Sequence, residues 1–156
     1  MIKILLLVTT LFLSAVSCTS VKVISHGSVR ETVSIQAGAV FIKPVRVVSF
    51  DTVAGKGIGL IMDRKLHLNM LEVGRVVVTE HEEDRGIFIV PELIVKGYEK
   101  NYRQRYYYLL HIEVSQNGSM AGSFHYEYNG TASLFESRMQ NVLVRRFMRD
   151  LKKLFS

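Results

Sequence analysis

The chain has five histidines, the side chains that most readily exchange protons or bind metals near neutral pH. None belongs to a His-Glu-x-x-His pattern, in which two histidines one helical turn apart bind zinc. His111 and His125 are expected on facing strands of one hairpin, diagonal to each other and near Glu113 and Glu127. Imidazole and carboxylate suit zinc, so this pair is the alternative metal site, although no metal is the primary prediction. The simpler interpretation is the polar face of a half-exposed sheet. The five histidines of the sequence are His26, His67, His81, His111 and His125.

The glycine-rich stretch at residues 55–59 follows a predicted strand and precedes a predicted helix. Backbone amides in that setting can bind phosphate. Neither standard fingerprint is present, because Leu60 stands where the dinucleotide motif needs glycine and the Walker spacing is missing. A loop with glycines at its turns is the simpler interpretation. No Gly-x-Ser-x-Gly elbow occurs either, so we predict a non-enzymatic protein with no catalytic residue and no cofactor.

Basic and aromatic residues interleave between positions 96 and 108. Such a surface binds anions or sugars through charge and stacking, and protein interfaces also favour arginine and aromatic side chains. The alternative is a solvated turn followed by a core strand. We predict that this basic strip binds a ligand or partner. Its six candidate residues are Lys96, Tyr98, Lys100, Tyr102, Arg103 and Arg105.

Lipid attachment at Cys18, the only cysteine of the sequence, is the strongest chemical prediction. Residues 1–17 have the pattern of a signal peptide: Lys3 supplies positive charge, residues 4–13 are almost wholly apolar, and small residues follow. The apolar run is shorter than the ~20 residues that a membrane-spanning helix needs. The stretch Ala15-Val16-Ser17-Cys18 resembles the lipobox of bacterial lipoproteins, although that family prefers leucine at the position of Ala15.

This resemblance implies that the Cys18 thiol carries diacylglycerol and that the chain is cleaved before it. Thr19 follows the cysteine, whereas aspartate there commonly signals retention in the inner membrane. The expected location is therefore the periplasmic face of the outer membrane. An ordinary secretory signal followed by a chance cysteine is the alternative, but a free thiol is a liability in an oxidising compartment.

Length and composition predict one globular domain, because 48% of the 156 residues are hydrophobic. We divide the chain into a signal peptide (1–17), a lipidated tether with possible edge strands (18–38) and a single α+β domain (39–156). The formal net charge is +6 and falls by one when Lys3 is removed. Export excludes nucleic acid as the partner of this charge, which leaves lipid headgroups, lipopolysaccharide or another glycan.

Hydrophobic spacing predicts the elements that position these residues. Proline cannot donate to a strand ladder, so Pro44 should start or bulge a strand and Pro91 should interrupt one. A hairpin turns about Asn117-Gly118, and we predict a three-residue loop that pairs Ser115 with Ser119, since this register places apolar residues on one face. The predicted elements are strands at 39–50, 75–80, 86–97, 103–115 and 119–128, a helix at 57–73, and a long C-terminal helix from 131 or 133.

The C-terminal helix, capped by Thr131 or Ser133, should bury one apolar stripe. The stripe consists of Phe135, Met139, Leu143, Phe147, Leu151 and Phe155. The order β-α-β-β-β-β-α then predicts an α+β fold: a mixed, mainly antiparallel sheet of four to six strands with two helices on one face.

This layout over residues 39–155 is similar to that of small outer-membrane assembly lipoproteins, such as the lipopolysaccharide-assembly lipoprotein. The resemblance lies in the element order and the helix-to-strand transition at residues 71–78. It implies a non-enzymatic accessory or assembly subunit. Such a subunit would be held at the membrane by its lipid and would bind a membrane protein or an anionic envelope component. The alternative is a periplasmic metal-binding or hydrolytic lipoprotein.

Overall fold

A computed structural model describes residues 22–29, 39–49, 52–72, 77–79 and 86–155. The predicted signal peptide and Cys18 lie outside these residues. The elements are β1 (Ile24–Val29), β2 (Ala39–Ile42), β3 (Arg46–Ser49), α1 (Thr52–Leu71), β4 (Val77–Thr79), β5 (Ile87–Lys100), β6 (Arg103–Gln116), β7 (Ser119–Gly130) and α2 (Ser137–Leu154).

The strands form one sheet in the order β1-β7-β6-β5-β2-β4, with β3 paired to β5 beside β2. The pairs β1–β7, β7–β6 and β6–β5 are antiparallel. Strands β2 and β3 run parallel to β5, and β4 runs parallel to β2. Helix α1 lies in the connection between the parallel strands β2 and β4, as predicted. The predicted fold class is confirmed, and the sheet has seven strands where four to six were expected.

The predicted strand at residues 39–50 is divided into two at Pro44. Residues 43–45, which include Pro44, separate β2 from β3. Strand β5 pairs with β2 along Ile87–Ile89 and with β3 along Glu92–Val95. Pro91 lies in the gap between these two ladders, so its missing N–H costs no hydrogen bond there. Strand β5 is therefore continuous through Pro91, and the break lies between the neighbouring strands β2 and β3. The predicted interruption of β5 at Pro91 was wrong.

Helix α1 begins at Thr52, five residues before the predicted start, so the glycine-rich stretch is helical and is not a loop. The phosphate-binding interpretation of that loop was therefore wrong. A Cβ on Gly59 would lie 3.0 Å from Cγ2 of Val47, and one on Gly55 would lie 3.1 Å from Cβ of Ser49. The glycines thus let α1 approach β3 closely. The helix buries the predicted positions Ile58, Met62, Leu66 and Met70.

The β6–β7 hairpin has a two-residue turn, Asn117-Gly118, with φ of 50° and 81°. Gln116 pairs with Ser119, so the predicted three-residue loop was wrong. A bulge at Ala121 then shifts the register, and Leu110 faces Tyr126 beyond it. The predicted apolar face is nevertheless buried, because the bulge restores the alternation that the tighter turn would have reversed.

The core lies between the two helices and one face of the sheet. Phe147 of α2 is 0% exposed, while Phe135, predicted to belong to the same stripe, lies before the helix and is 56% exposed. The predicted cap was also wrong: Glu136 is the N-cap residue without a side-chain cap bond, and the Ser133 hydroxyl accepts from Phe135 N–H. The buried positions of α2 are Met139, Gln140, Leu143, Val144, Phe147, Met148, Asp150, Leu151 and Leu154.

Buried tyrosine hydroxyls attach α2 and the segment before it to the sheet. Tyr108 accepts from Leu134 N–H at 2.8 Å, and burial raises its pKa to about 12. Tyr126 donates to Asp150 Oδ2 at 3.1 Å. Burial, together with that carboxylate, raises the pKa of Tyr126 well above its usual value. Burial opposes ionisation of Asp150, but bonds from Lys153 and Tyr126 outweigh it, so the carboxyl pKa is lowered.

The packing of α2 predicts a large difference between the buried and the exposed face of this helix. We expect Phe147→Ala to lower the free energy of unfolding by about 3–5 kcal/mol, because it opens a cavity in the core. Arg145 is exposed, so Arg145→Ala should change it by no more than ~0.5 kcal/mol. Urea unfolding of both variants measures this, and equal midpoint shifts would contradict the placement of the helix.

Candidate functional site

The far end of the β5–β6 hairpin extends beyond its neighbouring strands. Strand β3 pairs with β5 only as far as Val95, and β7 pairs with β6 only from Tyr106 onward. Among the described residues, the segment Lys96–Arg105 therefore pairs only with itself, and we call it the ribbon. A two-stranded ribbon is barely stable in water by itself, so the sheet behind it must hold it in place.

The register of the ribbon places its cations on one face. Lys96 is opposite Tyr107, Tyr98 is opposite Arg105, and Lys100 is opposite Arg103. Because side chains alternate along a strand, these residues all lie on the face away from the helices. The helix-side face carries Gly97, Glu99, Gln104 and Tyr106. The ribbon's one acidic residue is thus on the opposite face from its four cations.

The ribbon contains two features that oppose folding. Lys100 and Arg103 are directly opposite each other, and like charges in that arrangement are destabilising. The turn consists of Asn101 and Tyr102 with φ of 53° and 56°. Asparagine and glycine suit such a turn, whereas tyrosine is strained in it. Tyr102 is also 99% exposed, so burial does not compensate for this strain.

One side chain of the ribbon bonds to the neighbouring strand β7, and another is partly shielded from solvent. The Tyr98 hydroxyl donates to Asn129 Oδ1 at 2.6 Å, which ties the ribbon to the end of β7. Arg105 is partly buried, and its Nε is shielded from solvent without a hydrogen-bond partner among the described residues. The structure brings all six predicted strip residues together, five on one face and Tyr102 at the tip. Their binding role stays a prediction.

A second polar cluster crosses the middle of the same face. His111 lies directly opposite His125, with their Nδ1 atoms 3.1 Å apart and their ring centres 4.3 Å apart. His111 Nε2 lies 3.2 Å from Glu113 Oε1, and His125 Nε2 lies 3.3 Å from the Ser123 hydroxyl. The predicted diagonal arrangement was wrong because the two-residue turn and the bulge in β7 each shift the register by one residue relative to the predicted one.

Sequence reasoning missed a third member of this cluster. His26 of β1 lies opposite His125, so His26, His125 and His111 form a histidine row across three adjacent strands. Residues 18–38 were predicted as a tether with possible edge strands, and nothing in their sequence indicates that β1 pairs with β7. Burial lowers the pKa of His125, and the nearby His111 and His26 lower it further, while Glu113 acts in the opposite direction.

The alternative metal site gains no third ligand from the structure. Within residues 22–29, 39–49, 52–72, 77–79 and 86–155, no three His, Cys, Asp or Glu side chains are arranged to hold a metal ion. His67 lies on α1, where its Nδ1 is 2.9 Å from the Asp63 carbonyl oxygen, and His81 lies outside the described residues.

Neither described helix is long and apolar enough to cross a membrane.

No family model matches the chain, and no curated protein matches its sequence. Among solved structures, the chain is similar to the PelC dodecamer from Paraburkholderia phytofirmans in two crystal forms, each with 11% identity and a TM-score of 0.51. These alignments cover 86% of this chain and 98% and 99% of the PelC chains. The hypothetical protein CT253 from Chlamydia trachomatis aligns over 74% of this chain and 94% of its own, with 10% identity and a TM-score of 0.45.

At this identity, the similarity to PelC establishes a common fold and nothing about activity. The shared fold spans nearly the whole PelC chain. The class defined by fold and site together is an α+β domain with one helix-covered sheet face and an opposite face that carries a basic ribbon and a histidine row.

Proposed function

We propose that this chain is a non-enzymatic lipoprotein subunit of the outer membrane that binds an anionic envelope component through the ribbon. The observation that carries the proposal is the segregation of Lys96, Lys100, Arg103 and Arg105 onto one face of a ribbon that extends past its neighbouring strands. Such a surface presents concentrated positive charge with aromatic rings beside it.

The energetics of the ribbon favour a binding role over a folding role. The opposed pair Lys100 and Arg103 and the left-handed Tyr102 lower stability, and exposed charges contribute little to it in any case. Residues that cost stability and are not buried are characteristic of functional surfaces. An anionic partner would neutralise the four cations, which removes their mutual repulsion.

The location rests on the sequence. The lipobox-like stretch Ala15–Cys18 would attach the domain to a membrane through Cys18, only six residues before β1. That distance keeps the domain close to the lipid surface. The available polyanions there are phospholipid headgroups, lipopolysaccharide and other glycans, or an acidic membrane protein.

The ribbon is tested by changing Lys100, Arg103 and Arg105 together to Gln. We expect weaker co-sedimentation with outer-membrane vesicles at low salt, and weaker co-sedimentation of the wild type at high salt, because salt screens the attraction. The thermal midpoint should stay unchanged or rise slightly, since the change removes an opposed pair of like charges. The protein used is the chain from Cys18 onward with Cys18→Ser.

The matched control changes Arg64, Arg145 and Lys152 to Gln, which removes the same number of lysines and arginines from exposed positions outside the ribbon. Parallel sedimentation with phosphatidylglycerol vesicles shows whether lipid phosphate is sufficient. If the ribbon variant and the control variant bind equally, net charge accounts for binding and the ribbon is not the site. If the wild type does not sediment with either vesicle, the binding proposal fails.

The anchor is tested separately. Cys18→Ala should abolish incorporation of a radioactive fatty acid and leave the chain uncleaved or unanchored, because the thiol is the atom that is alkylated. Metabolic labelling followed by membrane fractionation measures both effects. Unchanged labelling of the variant would eliminate Cys18 as the lipidation site.

We further propose that the chain forms a homo-oligomer. The supporting observations are the similarity in fold to a dodecamer and the outer edge of β3, which has no strand partner among the described residues. This edge adjoins a cleft of about 450 Å³ that includes the apolar side chains of Pro44, Val45, Val47 and Leu60. Leu60 is 73% exposed, and an exposed apolar cleft is typical of an interface.

Light scattering of the purified protein should give a mass several times that of one chain. Leu60→Lys should reduce that mass, because it places a charge in the cleft. Leu68→Lys is the control, since Leu68 is also exposed on α1 but does not line the cleft. A monomeric mass for the wild type would refute this proposal and leave the ribbon proposal standing.

A further inference from the structure

An arrangement of protons with neutral imidazoles satisfies the contacts of His111 and His125. The Ser123 hydroxyl donates to Nε2 of His125, Nδ1 of His125 donates to Nδ1 of His111, and Nε2 of His111 donates to Glu113. In this arrangement both imidazoles are neutral. The 3.1 Å contact needs a lone pair on one of the two Nδ1 atoms, so this hydrogen bond is lost when both rings are fully protonated.

We propose that the histidine row is a pH-sensitive latch: protonation of His26, His125 and His111 releases β1 from the edge of the sheet. Directly opposite side chains in an antiparallel pair have Cβ atoms about 5 Å apart, so imidazolium ions at His26 and His125 repel each other across the β1–β7 pair. Repulsion within the row acts on β1 because β1 is its outermost strand.

Two acidic residues lie near His111, the histidine of the row that is farthest from the edge of the sheet. Glu113 contacts His111. Glu92 of β5 also lies opposite His111, and its Oε1 is 3.8 Å from Nε of Arg46 on β3. Strand β1 itself contains no acidic residue. These two carboxylates therefore lie beside His111 and not beside His26.

Two further groups face the outer end of the row. Glu127 is opposite Ile24 and hence only diagonal to His26. Asp150 of α2 borders the same pocket as His26 and accepts a hydrogen bond from Lys153 at 2.7 Å. Neither carboxylate is placed to neutralise both His26 and His125.

Strand β1 is the least secured strand of the long antiparallel part of the sheet. All six of its residues are exposed, and among the strands that the structure describes it pairs only with β7. Its other attachments are the buried side chain of Val23 and the bond from Arg146 to the Val23 carbonyl oxygen. A modest loss of pairing energy can therefore open it without unfolding the core.

The direction of the pH effect follows from His125. Its pKa is lowered in the folded protein, mainly by burial and then by His111 and His26, so the folded form binds this proton less readily than the unfolded form. The part of the attachment that depends on neutral His125 is fully present above the ordinary pKa of 6.5 and is lost as the pH falls below it.

If the chain is anchored as proposed above, the latch sets the reach of the domain. With β1 attached, six residues separate Cys18 from the sheet at Ile24, at most roughly 20 Å of chain. With β1 released, the chain from Cys18 to the next described strand, which begins at Ala39, is at most roughly 70 Å long. The latch itself does not depend on the anchor.

Amide hydrogen exchange of residues 24–29, corrected for the intrinsic pH dependence of exchange, tests the latch. Between pH 7.5 and pH 5.0 we expect protection of these amides in the wild type to fall roughly threefold or more relative to amides of β6, the size expected from like-charge contacts across a strand pair. His26→Gln and His125→Gln should each remove most of this fall. His67→Gln, on α1, is the control and should leave it unchanged.

Unchanged protection of β1 in the wild type at pH 5.0 would overturn the proposal. An equal fall in wild type, His26→Gln and His125→Gln would also overturn it, because other titrating groups would then be responsible. Preserved protection of β6 amides in every variant verifies that the domain stays folded. Binding to vesicles is not part of this experiment, so its result is independent of the ribbon proposal.

Discussion

The register of the β5–β6 pair is the constraint on which the other features depend. The two strands pair along fourteen positions, from Ile87 opposite Gln116 to Lys100 opposite Arg103. Residues such as Leu93 and Leu110 face the helices and are fully buried, so the register cannot slip by one residue without burying the alternate, polar set. The same alternation that builds the core therefore collects the cations of the ribbon on the opposite face.

The strands parallel to β5 are interrupted where the long hairpin contains Pro91. Pro91 cannot donate a hydrogen bond, and the neighbouring strand is divided into β2 and β3 at its level. The short β3 is then covered closely by α1, because Gly55 and Gly59 carry no side chain at the contact. A proline and two glycines that look like loop or turn residues in the sequence are thus packing residues of the sheet and helix.

Two polar clusters share the face that the helices leave open, and they differ in physical character. The ribbon holds permanent charges from lysine and arginine, so its interactions respond to salt. The histidine row consists of imidazole side chains, whose charge responds to acid. Because the row includes the edge strand β1 and the ribbon belongs to the central hairpin, a change in the row can alter the N-terminal attachment while leaving the ribbon in place.

The sequence by itself determined the α+β class, the buried face of β6 and β7 and most of the apolar stripe of α2, since burial of alternating or helically spaced side chains is a local pattern. It also placed the basic strip around a turn. Only the tertiary structure decided that Gly55 belongs to a helix, that a bulge at Ala121 replaces a longer turn, and that His26 joins His125 and His111. These outcomes depend on which strands become neighbours and how closely a helix approaches them, and such long-range packing leaves no periodic signal in the chain.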